Sequence, residues 1–116
     1  MFMQTILRLT LHHFLLAMLI GLPTMTHAEN PVITIAIIRG RFTPDQLEIP
    51  ADTKVKLLIE NQDDTPEEFD SFDLHREVLV HANSSAVVYI GPLPAGRYRF
   101  EGEFSPNTAQ GVVIVK

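Results

Sequence analysis

From residue 32 onward apolar positions recur at every second residue, and turn-forming residues interrupt the pattern about every ten residues, the rhythm of short strands. Val32–Ile38 is β-branched and apolar on both faces and predicts a buried strand. Gly40 and Pro44 break it. Gln46–Ile49 alternates and is closed by Pro50-Ala51-Asp52. Lys54–Glu60 alternates with Val55, Leu57 and Ile59 directed inward. Asn61–Glu68 reads as a polar loop, and Phe69–Val80 as an irregular segment ending in a short strand, Glu77–Val80. Asn83-Ser84-Ser85 is a turn and Ala86–Ile90 a strand. After the breaker-rich Gly91–Gly96, Arg97–Phe104 alternates without a slip, Ser105–Asn107 turns, and Gly111–Lys116 is the last strand. No helix of ordinary length fits after residue 30. About seven short strands with frequent turns predict an all-β sandwich or barrel.

Residues 1–28 follow another pattern. Arg8 is their only formal charge; Leu9–Leu22 is mostly apolar, Pro23 breaks it, and Thr26 and Ala28 place small residues three and one before a cut. This predicts a secretory signal peptide cleaved after Ala28. As a helix the apolar run would span ~21 Å, short of the ~30 Å hydrocarbon core, so a retained anchor is disfavoured. The expected organisation is a leader, 1–28, and one domain, 29–116, not embedded in a membrane after cleavage.

Composition then narrows the chemistry. The chain has 9 Lys and Arg against 14 Asp and Glu, a net charge of −5. Loss of Arg8 leaves 8 − 14 = −6 in residues 29–116. An acidic domain argues against nucleic-acid binding through a basic surface. There is no Cys, which excludes a disulfide scaffold, thiolate zinc, iron–sulfur clusters and a cysteine nucleophile. All 4 Met lie in the leader, as do His12, His13 and His27, leaving His75 and His81 in the domain. No Gly-x-Ser-x-Gly elbow, Walker motif or dinucleotide glycine pattern occurs. The acidic stretch lacks the central glycine and spacing of an EF-hand. Carboxylate pairs could run acid–base chemistry, but the pattern suggests a small sandwich with no evident cleft.

Asp63, Asp64, Glu67, Glu68, Asp70, Asp73 and Glu77 supply half of the 14 acids within one short stretch, opposed only by Arg76. Two readings stay open: a solvated acidic loop, or oxygen ligands for Fe, Mn, Mg or Ca, with His75 tipping selectivity toward transition metals. On an extended segment Glu68 and Asp70 would share one face, ~6.6 Å apart along the chain. Glu101 and Glu103 alternate with Phe100, Gly102 and Phe104 and share a face with Arg97 and Arg99, as an exposed mixed-charge strand would. Glu103, at the strand end, is the better ligand of the two. His75 and His81 have no partner histidine at ligand spacing.

Three stretches carry a family resemblance: Phe42-Thr-Pro-Asp-Gln-Leu-Glu-Ile-Pro50; Val55–Asn61 with Asp63, Asp64, Pro66 and Phe69; and Pro94-Ala-Gly-Arg-Tyr-Arg-Phe100 followed by Gly111–Val115. Their order resembles the cupredoxin-like Greek-key β-sandwiches, in particular the small secreted EfeO-type domains. Glu68-Phe-Asp-Ser71 with Leu74-His-Arg-Glu77, and Phe104-Ser-Pro-Asn-Thr-Ala-Gln-Gly111, resemble segments of periplasmic proteins that accompany ferrous-iron uptake permeases. Ser105 stands where that likeness would place a histidine. In copper-binding relatives the first ligand histidine matches a position near Glu67, and the later ligand loop matches Glu101–Gln110.

A type 1 copper site needs a thiolate, two histidines and usually an axial methionine. This domain lacks the Cys and the Met, so that site is excluded whatever the fold. The resemblance implies a periplasmic accessory protein in metal-ion handling, with iron the favoured cargo. The candidate metal set is Glu67, Glu68, Asp70, His75 and Glu103, taking Fe, Cu(II) or Mn through carboxylates and histidine. An inner-membrane iron permease or another envelope protein is the expected partner. Any ferroxidase-type activity would depend on a bound redox metal. The rival is a metal-free envelope interaction module on the same scaffold.

Overall fold

A computed structural model of the chain describes residues 17, 20–23 and 29–116. The expected leader and its cut after Ala28 fall almost wholly outside the described residues. Nine strands make up the domain: β1 (Val32–Ile38), β2 (Arg41–Thr43), β3 (Gln46–Ile49), β4 (Val55–Asn61), β5 (Glu67–Ser71), β6 (Arg76–Val80), β7 (Ser85–Ile90), β8 (Gly96–Gly102) and β9 (Gln110–Val115). They form two sheets, ordered β2-β1-β4-β7 and β3-β9-β8-β5-β6. There is no helix among the described residues, hence none long and apolar enough to cross a membrane.

The alternating strands pack as their pattern dictates. Val55, Leu57 and Ile59 of β4 are completely buried, and Ile35 and Ile37 of β1 pack beside them. β1 is buried on one face only: Val32 and Thr34 on its outer face are exposed, which corrects the expectation of a strand apolar and buried on both sides. Toward one end of the core Phe42, Phe69 and Phe100 cluster. Phe69 and Phe100 stack at 5.0 Å between centroids, and Phe42 meets them edge-on at 6.1 and 5.0 Å, geometries that suit the ring quadrupoles. The Phe100 ring lies over its cross-strand partner Gly111, where a Cβ would come within 2.2 Å of the ring.

Two strands were not expected. β2 has three residues, too few for a period to emerge. It follows a two-residue turn, Arg39-Gly40, whose φ values of 53° and 65° are those of a type I′ hairpin. The Asp63 carboxylate accepts hydrogen bonds from both turn amides, at 2.7 and 2.8 Å. β5 occupies sequence expected to be loop and irregular segment. Its inward positions are Glu67, Phe69 and Ser71, so its alternation is real but two inward residues are polar.

A carboxylate face on the five-stranded sheet

Because Glu67, Phe69 and Ser71 point inward, Glu68 and Asp70 share the outer face of β5. The hairpin register sets Asp70 opposite Glu77 and Glu68 opposite Leu79. On the other side Asp70 pairs with Glu101 of β8. One step on, past the end of β8, the amide of Glu103 donates to the Glu68 carbonyl at 2.9 Å. Glu68 therefore sits between Glu103 and the β6 strand, with Asp70 beside it. Like charges on directly opposed positions repel, and among the described residues no Lys or Arg forms an ion pair with them. Among the described residues the one ion pair is Lys116 with Glu48, on another strand pair.

Glu68, Glu77 and Glu103 converge most closely: one carboxylate oxygen from each lies within 4.8 Å of the others. Oxygens around a divalent ion at ~2.1 Å stand about 3 Å apart when adjacent and about 4 Å when opposite. Small rotations of exposed glutamate side chains close that difference. Glu68 is half-buried, and its carboxyl is pushed up to about 7: a hydrogen bond to Glu77 is the leading cause, followed by desolvation and the charges of Glu103 and Glu77. The arrangement holds a proton near neutrality, and a cation could replace it.

The other expected ligands lie elsewhere. Asp70 is on the same face but outside the group of three. His75 is exposed in the β5–β6 turn, at φ 53°, with its ring 5.9 Å from that of Phe72. Glu67 is 3% exposed. Its Oε1 accepts from the amides of Glu68 and Phe104, both at 2.9 Å, and it borders a small cavity of about 370 Å³ with Arg39, Asp63 and Ser105. Glu77 belongs to the acidic stretch but stands outside the expected ligand set. The signal that would have found it is the hairpin register, since a turn over Phe72–His75 places Glu77 diagonal to Glu68. Glu101 and Glu103 form no ion pair with Arg97 and Arg99: the arginines lie toward the start of β8, Glu101 near its end and Glu103 just beyond it.

The expectation of no cleft is also corrected. A groove of about 650 Å³ runs beside the basic half of β8, bordered by Asp70, Phe72, Asp73, Arg97, Arg99 and Gln110. It forms because β5 ends at Ser71 and leaves β8 without a strand neighbour there. The Ser71 hydroxyl donates to the Arg99 carbonyl at 2.6 Å and the Asp73 carboxylate accepts from the Arg99 amide at 2.8 Å.

The family model described as Cupredoxin-like domain matches residues 11–115. Uncharacterized protein RP394 of Rickettsia prowazekii (strain Madrid E) is 42% identical over 93 residues, covering 80% of this chain and 74% of that protein. The metal-binding domain of the Cu(I)-exporting P-type ATPase CopA of Streptococcus pneumoniae D39 superposes with a TM-score of 0.66 at 15% identity, covering 78% of this chain and 91% of that one. Auracyanin A, a blue copper protein of Chloroflexus aurantiacus, gives 0.64 at 14%, covering 76% and 100%. The donors of a blue-copper centre do not fit here: the sequence has no Cys, and both domain histidines are exposed, His75 in a turn and His81 after β6.

Proposed function

Because the chain belongs to the cupredoxin-like domain family, we propose that it is a periplasmic accessory protein of metal-ion handling that takes a divalent cation on the Glu68–Glu77–Glu103 face. The observation carrying this reading is the convergence of three carboxylates that have no ion-pair partner among the described residues. All three donors are oxygen, which suits Fe(II) or Mn(II) and disfavours Cu(I), whose preferred ligands are thiolate and thioether. The proposed site lies on an exterior sheet face and uses no thiolate. The likeness of Glu68–Glu77 to proteins that accompany ferrous-iron permeases supports iron as the cargo and an inner-membrane permease as the recipient. A site with two of its three carboxylates exposed suits capture and release of a cation.

Calorimetric titration of chelator-stripped protein with Fe(II), Mn(II), Cu(II) and Zn(II) tests this. The reading expects micromolar or tighter binding of Fe(II) or Mn(II), lost in the Glu68→Gln/Glu103→Gln double variant. Equal weak binding by the two proteins overturns it.

A second reading, an envelope interaction module without metal, is favoured by Phe72. That side chain is 85% exposed at the tip of the β5–β6 turn and borders the groove beside Arg97 and Arg99. Capture of an envelope protein that is lost in Phe72→Ser, from a protein that binds no cation, would select this reading.

A further inference from the structure

We infer that Glu67 is a positioning residue, whose buried carboxylate fixes Glu68 against Glu103 and so sets the geometry of the carboxylate face. The inference rests on the proposed cation site and gives its supporting shell. Glu67 is the first residue of β5 and points inward, away from the three converging carboxylates. A buried carboxylate is costly unless its oxygens are hydrogen-bonded. Here one oxygen accepts from two amides at once, Glu68 at 2.9 Å and Phe104 at 2.9 Å. Glu68 is a member of the site, and Phe104 is the residue after Glu103, which is another.

The Phe104 amide lies 37 positions along the chain from Glu67 and past the end of β8, where the strand ladder no longer supplies an acceptor. The Glu103 amide bonds the Glu68 carbonyl at 2.9 Å. Two hydrogen bonds therefore tie the two segments at the point where their carboxylates meet, Glu103 amide to Glu68 carbonyl and Phe104 amide to Glu67 Oε1, and a third, within β5, holds that same oxygen on the Glu68 amide. The two amide hydrogen bonds hold that oxygen in place. A Cβ on Gly102 would lie 2.7 Å from the Glu67 carboxyl carbon and 2.7 Å from the Ala109 methyl, so the carboxyl group packs directly against the Gly102 backbone while it borders the small cavity. Hydrogen-bond lengths vary over only ~0.5 Å, so this clasp limits how far Glu103 can drift from Glu68. Residues that orient ligands from behind in this way typically change metal affinity by about 10–100-fold when removed.

Glu67→Gln keeps an acceptor oxygen of the same shape, and Glu67→Val removes it. Amide hydrogen exchange, thermal midpoint and Mn(II) affinity are measured for the wild type and both variants. In the metal-free wild type the Phe104 amide should be protected although its side chain is exposed. Glu67→Val should exchange that amide at least about tenfold faster and weaken Mn(II) binding about tenfold or more. Glu67→Gln should retain both properties within about threefold. An unprotected Phe104 amide in the wild type, or unchanged exchange in Glu67→Val, overturns the inference. So does a Glu67→Gln protein that keeps the protection but loses Mn(II) binding as fully as Glu68→Gln, which would make Glu67 a ligand itself. If the wild type binds no Mn(II), the proposed function fails, yet the exchange measurement still decides the role of Glu67. If Glu67→Val does not fold, wild-type protection and the Glu67→Gln affinity decide it.

Discussion

The carboxylates of Glu68 and Glu77 approach within 4.8 Å across the outer face of the β5–β6 pair. Two carboxylates this close repel unless one takes up a proton or a cation comes between them. The pH dependence of stability follows. The Glu68 carboxyl rises from its ordinary 4.5 to about 7 in the fold. A group raised on folding stabilises the native state while protonated: the contribution is complete below the unfolded value and disappears as pH passes the folded value. Wild-type stability should therefore fall between pH 4.5 and 7 relative to Glu68→Gln, which keeps the neutral hydrogen-bonding form throughout. Urea midpoints of the two proteins across that window check this. Parallel curves would contradict a shared proton.

Gly102 is expected to tolerate no side chain. A Cβ there meets the Glu67 carboxyl and the Ala109 methyl at 2.7 Å, so the Ala109 backbone or the hydrogen-bonded Glu67 carboxyl must shift. Overpacking of this kind costs about 1–3 kcal/mol. In a domain of this size each kcal/mol moves the melting temperature by about 4–8 °C. Thermal unfolding of Gly102→Ala should show a drop of that order, and cation affinity should fall with it.

Asp63 should matter for stability rather than for metal. Both of its carboxylate oxygens cap the Arg39-Gly40 turn, its amide donates to the Asn61 side chain at 3.0 Å, and its carbonyl accepts from Asn83 at 2.9 Å. Removing a charged acceptor from two amides costs about 1.5–3 kcal/mol. Asp63→Ala should lower the denaturation midpoint accordingly, Asp63→Asn should recover part of the loss, and cation affinity should stay within about twofold in both. A large loss of affinity in Asp63→Ala would move the site toward the cavity beside Glu67.

The parts of the fold legible in the sequence are those where polarity and direction agree. Val55, Leu57 and Ile59 alternate with Lys56, Leu58 and Glu60, and the inward three are all fully buried. β5 breaks that agreement. Glu67 and Ser71 are polar yet inward, and each is compensated by partners distant in sequence: Glu67 by the Phe104 amide, Ser71 by the Arg99 carbonyl. No local pattern carries that information, so an acidic strand reads as a loop. The candidate site was half legible for the same reason. Glu68 and Glu103 stand out as acids near a strand and a strand end. Glu77 joins them only through the register of a hairpin whose first strand was hidden. The parallel pairings of β1 with β4 and of β3 with β9 were likewise out of reach, because parallel partners are never joined by a local turn.

NMR of the isotope-labelled protein titrated with substoichiometric Mn(II), whose unpaired electrons broaden nearby resonances, tests the cation site directly. Broadening should centre on Glu68, Glu77 and Glu103, including their carboxyl carbons, and be absent in Glu68→Gln/Glu103→Gln. Broadening centred on Asp63, Asp64 and His75, or spread over the acidic surface without a centre, would contradict it.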